Sequence, residues 1–233
     1  MFDAFSPEEL TAIRLSLKVA LVAALASLPF GVLVGWLLAR TRFPGKALLD
    51  AVVHLPLVLP PVVMGYGLLV TLGTQGAIGA FLKEHLGLVF AFRWTGAALA
   101  CAVMGFPLMV RAIRLSLEAT DRRLEQAAST LGAGPWRVFF TVTLPLAWPG
   151  LVAGCVLAFA KALGEFGATI TFVASIPGET RTLPLAIYSL LQAPDGEAAL
   201  LRLVLISVGV SIGALVLSDW GASSVARRVG GMR

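Results

Sequence analysis

Few side chains in this sequence can do chemistry, and those that can sit in apolar surroundings. Lys161 and Glu165 stand four residues apart within the apolar run 148–176, a spacing that puts both on one helical face, where they can pair. An ionisable pair at membrane depth is expensive and faces a protein interior or an aqueous cavity. The functional reading has Lys161 easing an oxyanion past while Glu165 balances it at rest; the alternative is a neutralised pair buried for packing, or one close enough to the segment's end to be solvated. Thr169 joins them as a candidate for the same path. Pro56, Pro60 and Pro61 cannot donate backbone hydrogen bonds, so the segment 51–73 must kink or break there. Carbonyls freed at that depth are tolerated only against protein or a water-lined cavity. Pro60 and Pro61 are therefore path candidates, with a packing kink as the alternative.

A catalytic or metal constellation is not legible. His54 and His85 fall on opposite sides in the topology derived below, and neither has a carboxylate or Cys partner at motif spacing. Cys101 and Cys155 lie inside apolar runs and read as small buried hydrophobes, not as a disulfide or metal site. No GxxxxGK[ST] loop is present, so the chain is expected not to hydrolyse ATP and to bind no cofactor.

The elements that must position these residues follow from composition. Apolar residues make up 58% of the chain and charged residues 13%, with a mean hydropathy of +0.90; an ordinary soluble domain carries roughly 25% charged residues. Lipid is the solvent for most of this chain. The net charge of +5 does not indicate nucleic acid, because the basic residues lie between apolar runs. Five runs are long enough to span a bilayer as helices, at 12–39, 51–73, 92–112, 148–176 and 198–220. The last is the shortest, with Trp220, Arg227 and Arg228 suited to an interfacial end. Asp3, Glu8 and Glu9 are acidic where a cleavable signal would be basic, so the first run is expected to be a retained span.

Loop charge sets the expected orientation. Arg40, Arg42, Lys46, Arg111, Arg114, Arg122, Arg123, Arg137, Arg227, Arg228 and Arg233 fall on one side, which the positive-inside rule makes cytoplasmic. The N-terminus is then periplasmic and the C-terminus cytoplasmic. Five spans are too few to enclose a sizeable pathway, and no half-chain repeat is visible. A homodimer is expected.

The loop 118–145 is the most informative stretch. Residues 118–131 are good helix formers, Gly132, Gly134 and Pro135 force a turn, and a second short helix, 136–143, is expected to stop at Leu144-Pro145. Leu124, Ala127, Ala128 and Leu131 make one apolar face, which needs a partner. The pattern Gln126-Ala127-Ala128, then Gly132 and then Leu144-Pro145 resembles the EAA loop of permease subunits of bacterial ABC importers. In that family the loop docks into a groove of the ATP-hydrolysing subunit. The family's leading Glu is replaced by Gln126 here, while Glu125 occupies the preceding position. The resemblance leaves both as candidates for the ATPase contact.

Four further stretches narrow the likeness: Leu55 to Gly65 (LPLVLPPVVMG), Arg111 to Arg114 (RAIR), Leu163 to Ile170 (LGEFGATI) and Ile176 to Tyr188 (IPGETRTLPLAIY). Over roughly residues 10–220 they resemble the molybdate permeases of type I ABC importers, although sulfate permeases share Leu163 to Gly167. The resemblance implies an all-α membrane domain with a coupling loop, a homodimer around a translocation path, an ATPase dimer inside and an oxyanion-binding protein outside. ATP is then the partner's substrate, and tungstate or sulfate are the alternative cargoes. A membrane-embedded enzyme and a passive channel are the rival classes; the first lacks catalytic groups, and the second leaves the loop unemployed.

Overall fold

The computed structural model describes the backbone of residues 6–193 and 196–230, and the side chains of these residues up to 213 together with residue 216. Asp3, Asp195 and Arg233 lie outside the described residues, as do the side chains of Trp220, Arg227 and Arg228. Every regular element among the described residues is helical.

Helix α1 (Pro7–Arg40) starts at a capping box in which Ser6 Oγ accepts from the Glu9 N–H and the Glu9 carboxylate accepts from the Ser6 N–H. That satisfies two of the donors that a helix start leaves open. Its 34 residues reach about 50 Å at 1.5 Å per residue. Helices α2 (Lys46–Val58) and α3 (Pro61–Leu72) occupy the expected second span but meet at 113°. Pro60 and Pro61 make the corner, whereas Pro56 remains inside α2 and buried. A short α4 (Ala77–Leu86) leads to α5 (Trp94–Ala119), which carries Arg111, Arg114 and Glu118 as helical residues, not loop residues.

Helix α6 (Arg122–Thr130) follows a break at Thr120-Asp121, then come α7 (Pro135–Val138), a π-helical turn Phe139–Thr143, and α8 (Leu144–Leu146). Leu144-Pro145 therefore does not stop the helix, as the sequence suggested. The helical backbone runs on from the π turn into α8, with Leu144 N–H donating to Phe139 O, and Pro145 is accommodated within that run just after the π turn. The chain bends by 66° into α9 (Trp148–Leu163). The expected fourth span is interrupted at Gly164–Phe166 and resumes as α10 (Gly167–Val173). Helices α11 (Leu183–Leu191) and α12 (Glu197–Gly230) complete the chain.

Helices α1 and α5 are each long and apolar enough to cross a membrane; the α2–α3 pair and the pair ending in α9 qualify only if each bent pair counts as one span. The core lies where α1, α5 and α9 pack together. Ala20, Ala23, Ala97, Ala100 and Cys101 are almost fully buried there, small side chains that let backbones approach closely in lipid. A Cβ on Gly65 would lie 2.6 Å from the Ala168 carbonyl oxygen, and one on Gly167 would lie 2.7 Å from Pro61 Cβ. These small residues join α3 to α10 within one chain. His54 also proves to have a carboxylate neighbour. Asp50, one turn earlier on α2, lies 3.2 Å from His54 Nδ1, and its other oxygen takes Arg114 at 3.1 Å. The group is an ion-pair cluster tying α2 to α5, and no metal-binding group of three appears among the described residues.

Candidate functional site

The loop between α5 and α9 is built to hold a defined shape. Asp121 caps α6 by accepting from the Arg123 N–H at 2.9 Å. At the other end Gly132 takes φ +86°, with Gly132 N–H donating to Ser129 O at 3.0 Å and Ala133 N–H donating to Ala128 O at 3.1 Å. These are the two bonds of a Schellman cap, which requires a left-handed residue at this point. No residue of α6 is buried. Gln126 and Ala127 face outward, Leu131 is 89% exposed and Trp136 is 76% exposed. The apolar face inferred from spacing is therefore present and uncovered.

Glu125 behaves differently from its neighbour Gln126. Its Oε1 accepts from Arg40 Nη2 at 2.9 Å and from Thr143 Oγ1 at 2.9 Å. Arg40 also donates to Thr120 O at 3.4 Å, and Arg122 donates to Ala39 O at 3.0 Å. A groove of about 570 Å³ runs beside these groups, lined in part by Trp36, Gln126, Phe139 and Thr143. Arg40, Arg122 and Thr143 were not singled out as site residues from sequence. Arg40 and Glu125 are 85 positions apart, and charge at a span end carries no indication of its partner. Leu144 is half-buried and Pro145 exposed, both past the π turn and away from α6 in sequence.

The second candidate group lies at the break between α9 and α10. Lys161 Nζ and Glu165 Oε2 are 2.8 Å apart, with the Glu165 side chain 1% exposed and the Lys161 side chain 30% exposed. Glu165 Oε1 accepts from the Ala168 N–H at 3.0 Å, so its carboxylate also supports the start of α10. Thr169 is fully buried, and its hydroxyl donates to Glu165 O at 3.2 Å and Phe166 O at 2.9 Å. It holds the break's carbonyls and leaves no open face. Pro60 and Pro61 are exposed at the α2–α3 corner, and Pro61 touches the Gly167 end of α10. The break and the corner thus adjoin, joining four of the candidates, Pro61, Lys161, Glu165 and Thr169, through α10.

A chain of breached apolar helices with an uncovered amphipathic loop is the build of a transporter's membrane subunit. The sequence matches, over residues 27–229, the family described as "Binding-protein-dependent transport system inner membrane component", and the chain belongs to that family. It is 61% identical over 222 residues to the molybdenum transport system permease protein ModB of Escherichia coli, covering 95% of this chain and 97% of that protein. It is 57% identical to the ModB of Haemophilus influenzae over the same shares of both chains. Among solved structures, a chain of the methionine ABC transporter MetNI superposes with a TM-score of 0.66 at 18% identity, covering 95% of this chain and 99% of that one. That likeness extends the family's fold to this chain. The protein is an all-helical, multi-pass inner-membrane transport subunit, not an enzyme.

Proposed function

We propose that this chain is the permease subunit of an ATP-driven importer and forms the path by which molybdate crosses the inner membrane. The 61% identity to ModB of Escherichia coli across nearly the whole of both chains carries the cargo assignment. The uncovered face of α6 supports the partner assignment. Leu131 and Trp136 need a cover, and an ATPase subunit on the cytoplasmic side provides it. Gln126, exposed and without a hydrogen bond to hold it among those formed by the described residues, is the polar contact, with Ala127 and Ala128 beside it and Gly132 fixing the turn. An extracytoplasmic oxyanion-binding protein delivers the cargo, and a second copy of the chain completes the conduit. The exposed corner at Pro60 and Pro61 and the half-exposed Lys161 line that conduit, with Glu165 and Thr169 supporting them from behind. Weak holding suits this role, because a tight site in the membrane would oppose release. ATP is hydrolysed by the partner alone.

The five-span arrangement, residues 10–220 with the loop 118–145 in the cytoplasm, the N-terminus periplasmic and the C-terminus cytoplasmic, is part of the same reading. The test combines capture with transport. The chain is expected to co-purify with an ABC ATPase subunit and to support ATP-dependent molybdate uptake in vesicles supplied with the binding protein. Sulfate uptake in preference to molybdate would overturn the cargo. A cysteine at Arg123 is expected to resist a periplasmic thiol reagent, and its labelling in intact cells would overturn the topology.

A further inference from the structure

We propose that Glu125 is a positioning residue of the coupling step, turned inward to fasten α6 to the membrane helices instead of reaching the ATPase. This rests on the coupling-loop reading above. Helix α6 buries no residue, so apolar packing does not hold it to the bundle. Its attachments are polar and converge on one place. The Glu125 carboxylate takes Arg40 from the end of α1 and Thr143 from the π turn, each at 2.9 Å. Arg40 adds a bond to Thr120 O at the end of α5, and Arg122 returns one from α6 to Ala39 O. Three segments, the end of α1, α6 and the π turn, meet at this carboxylate, and its partner Arg40 has a side chain only 7% exposed.

Thr143 marks the contact as specific. Hydroxyls in helices commonly bond back to their own backbone, as Thr120, Thr130 and Thr141 do here. Thr143 instead donates across to Glu125. It is the last residue of a π turn, a feature that recurs at functional positions, and the 66° bend into α9 comes after the single turn of α8. Edge-to-face packing of Trp36 on Phe139, with ring centroids 6.0 Å apart, ties α1 to the same turn. A displacement of α6 by the ATPase is thereby delivered to α1 and α9 together. Without the carboxylate, α6 would pivot on its Gly132–Gly134 link and the displacement would be absorbed in the loop.

The experiment measures two quantities in the complete complex with ATPase subunit and binding protein: ATPase capture, and molybdate moved per ATP hydrolysed in proteoliposomes. Glu125→Gln should capture the ATPase as the unmodified chain does while molybdate per ATP falls about tenfold, since a charged pair is replaced by a weaker neutral contact. Thr143→Val, which keeps the ion pair, should fall by about threefold, the scale of one lost hydrogen bond. The reversed pair Arg40→Glu with Glu125→Arg should recover part of the lost ratio. A merely structural role would lower abundance and capture together and leave the ratio of surviving complexes unchanged. An unchanged ratio in Glu125→Gln, or a loss of capture with it, overturns the proposal. Should Glu125→Gln fail to accumulate, Thr143→Val decides by the same ratio. An unmodified chain that captures no ATPase removes the coupling-loop reading itself, and the fastening role with it.

Discussion

Gly132→Val is expected to abolish most ATP-driven uptake while leaving the chain inserted in the membrane. Gly132 has φ +86°, and no atom lies within 4 Å of the position a Cβ would take. The penalty is therefore one of backbone conformation, not of crowding. An ordinary L-residue pays about 1–2 kcal/mol in the left-handed region, and a β-branched one more. The cheaper outcome is for the turn to leave that region, breaking the Ser129 and Ala128 carbonyl bonds that end α6. Leu131 and Trp136, on either side of the turn, then lose their relative placement, and the ATPase meets a surface that no longer fits. The spans are insulated because their backbone hydrogen bonds close within each helix. Gly132→Asn, which enters the left-handed region readily, should retain most activity. Gln126→Ala should lose less than the Val change, about 1–3 kcal/mol of docking for a buried polar contact. Abundance in membranes, ATPase capture and uptake measured side by side check this. Normal capture and uptake by Gly132→Val would remove the main support for the loop's role.

What could be read from sequence was what depends on local pattern. Apolar runs marked helices, among which α1 and α5 are each long and apolar enough to cross a membrane, and the Gly132-Ala133-Gly134-Pro135 segment marked a turn, which Gly132 makes with φ +86°. The i, i+4 spacing paired Lys161 with Glu165, which the structure places 2.8 Å apart. What escaped depends on three-dimensional closure. Nothing local shows that the helical backbone runs through Pro145, because it is the π turn just before it that continues into α8. Nor does spacing show that the fourth run breaks at Gly164–Phe166. The same Gly-Glu-Phe-Gly letters are compatible with a continuous helix, and the break is held by Thr169 and Glu165 together. The choice between Glu125 and Gln126 was undecidable in sequence for the same reason. Both are helix-compatible polar residues, and only the arrival of Arg40 and Thr143 from elsewhere distinguishes them.

Lys161→Ala is expected to cost more uptake than the double change Lys161→Ala with Glu165→Gln. The asymmetry of exposure sets the order: the Glu165 side chain is 1% exposed, whereas Lys161 reaches a surface at 30%. Removing Lys161 strands a carboxylate in a low-dielectric interior with one backbone N–H, from Ala168, for company. Removing one member of a buried pair costs about 3–5 kcal/mol, because the survivor keeps its desolvation penalty. Gln at 165 carries no charge to strand, and its amide oxygen still accepts from Ala168 N–H, so the start of α10 survives. Abundance in the membrane should therefore fall in the single variant and recover in the double. Uptake separates the roles further. If Lys161 eases the anion along the path, the double variant is as abundant as the unmodified chain but transports more slowly, and Lys161→Arg, which keeps the charge, transports faster than either. A double variant with full uptake would assign the pair to packing. Equal abundance and equal uptake in all the variants would show that the pair is solvated and that neither residue bears on transport.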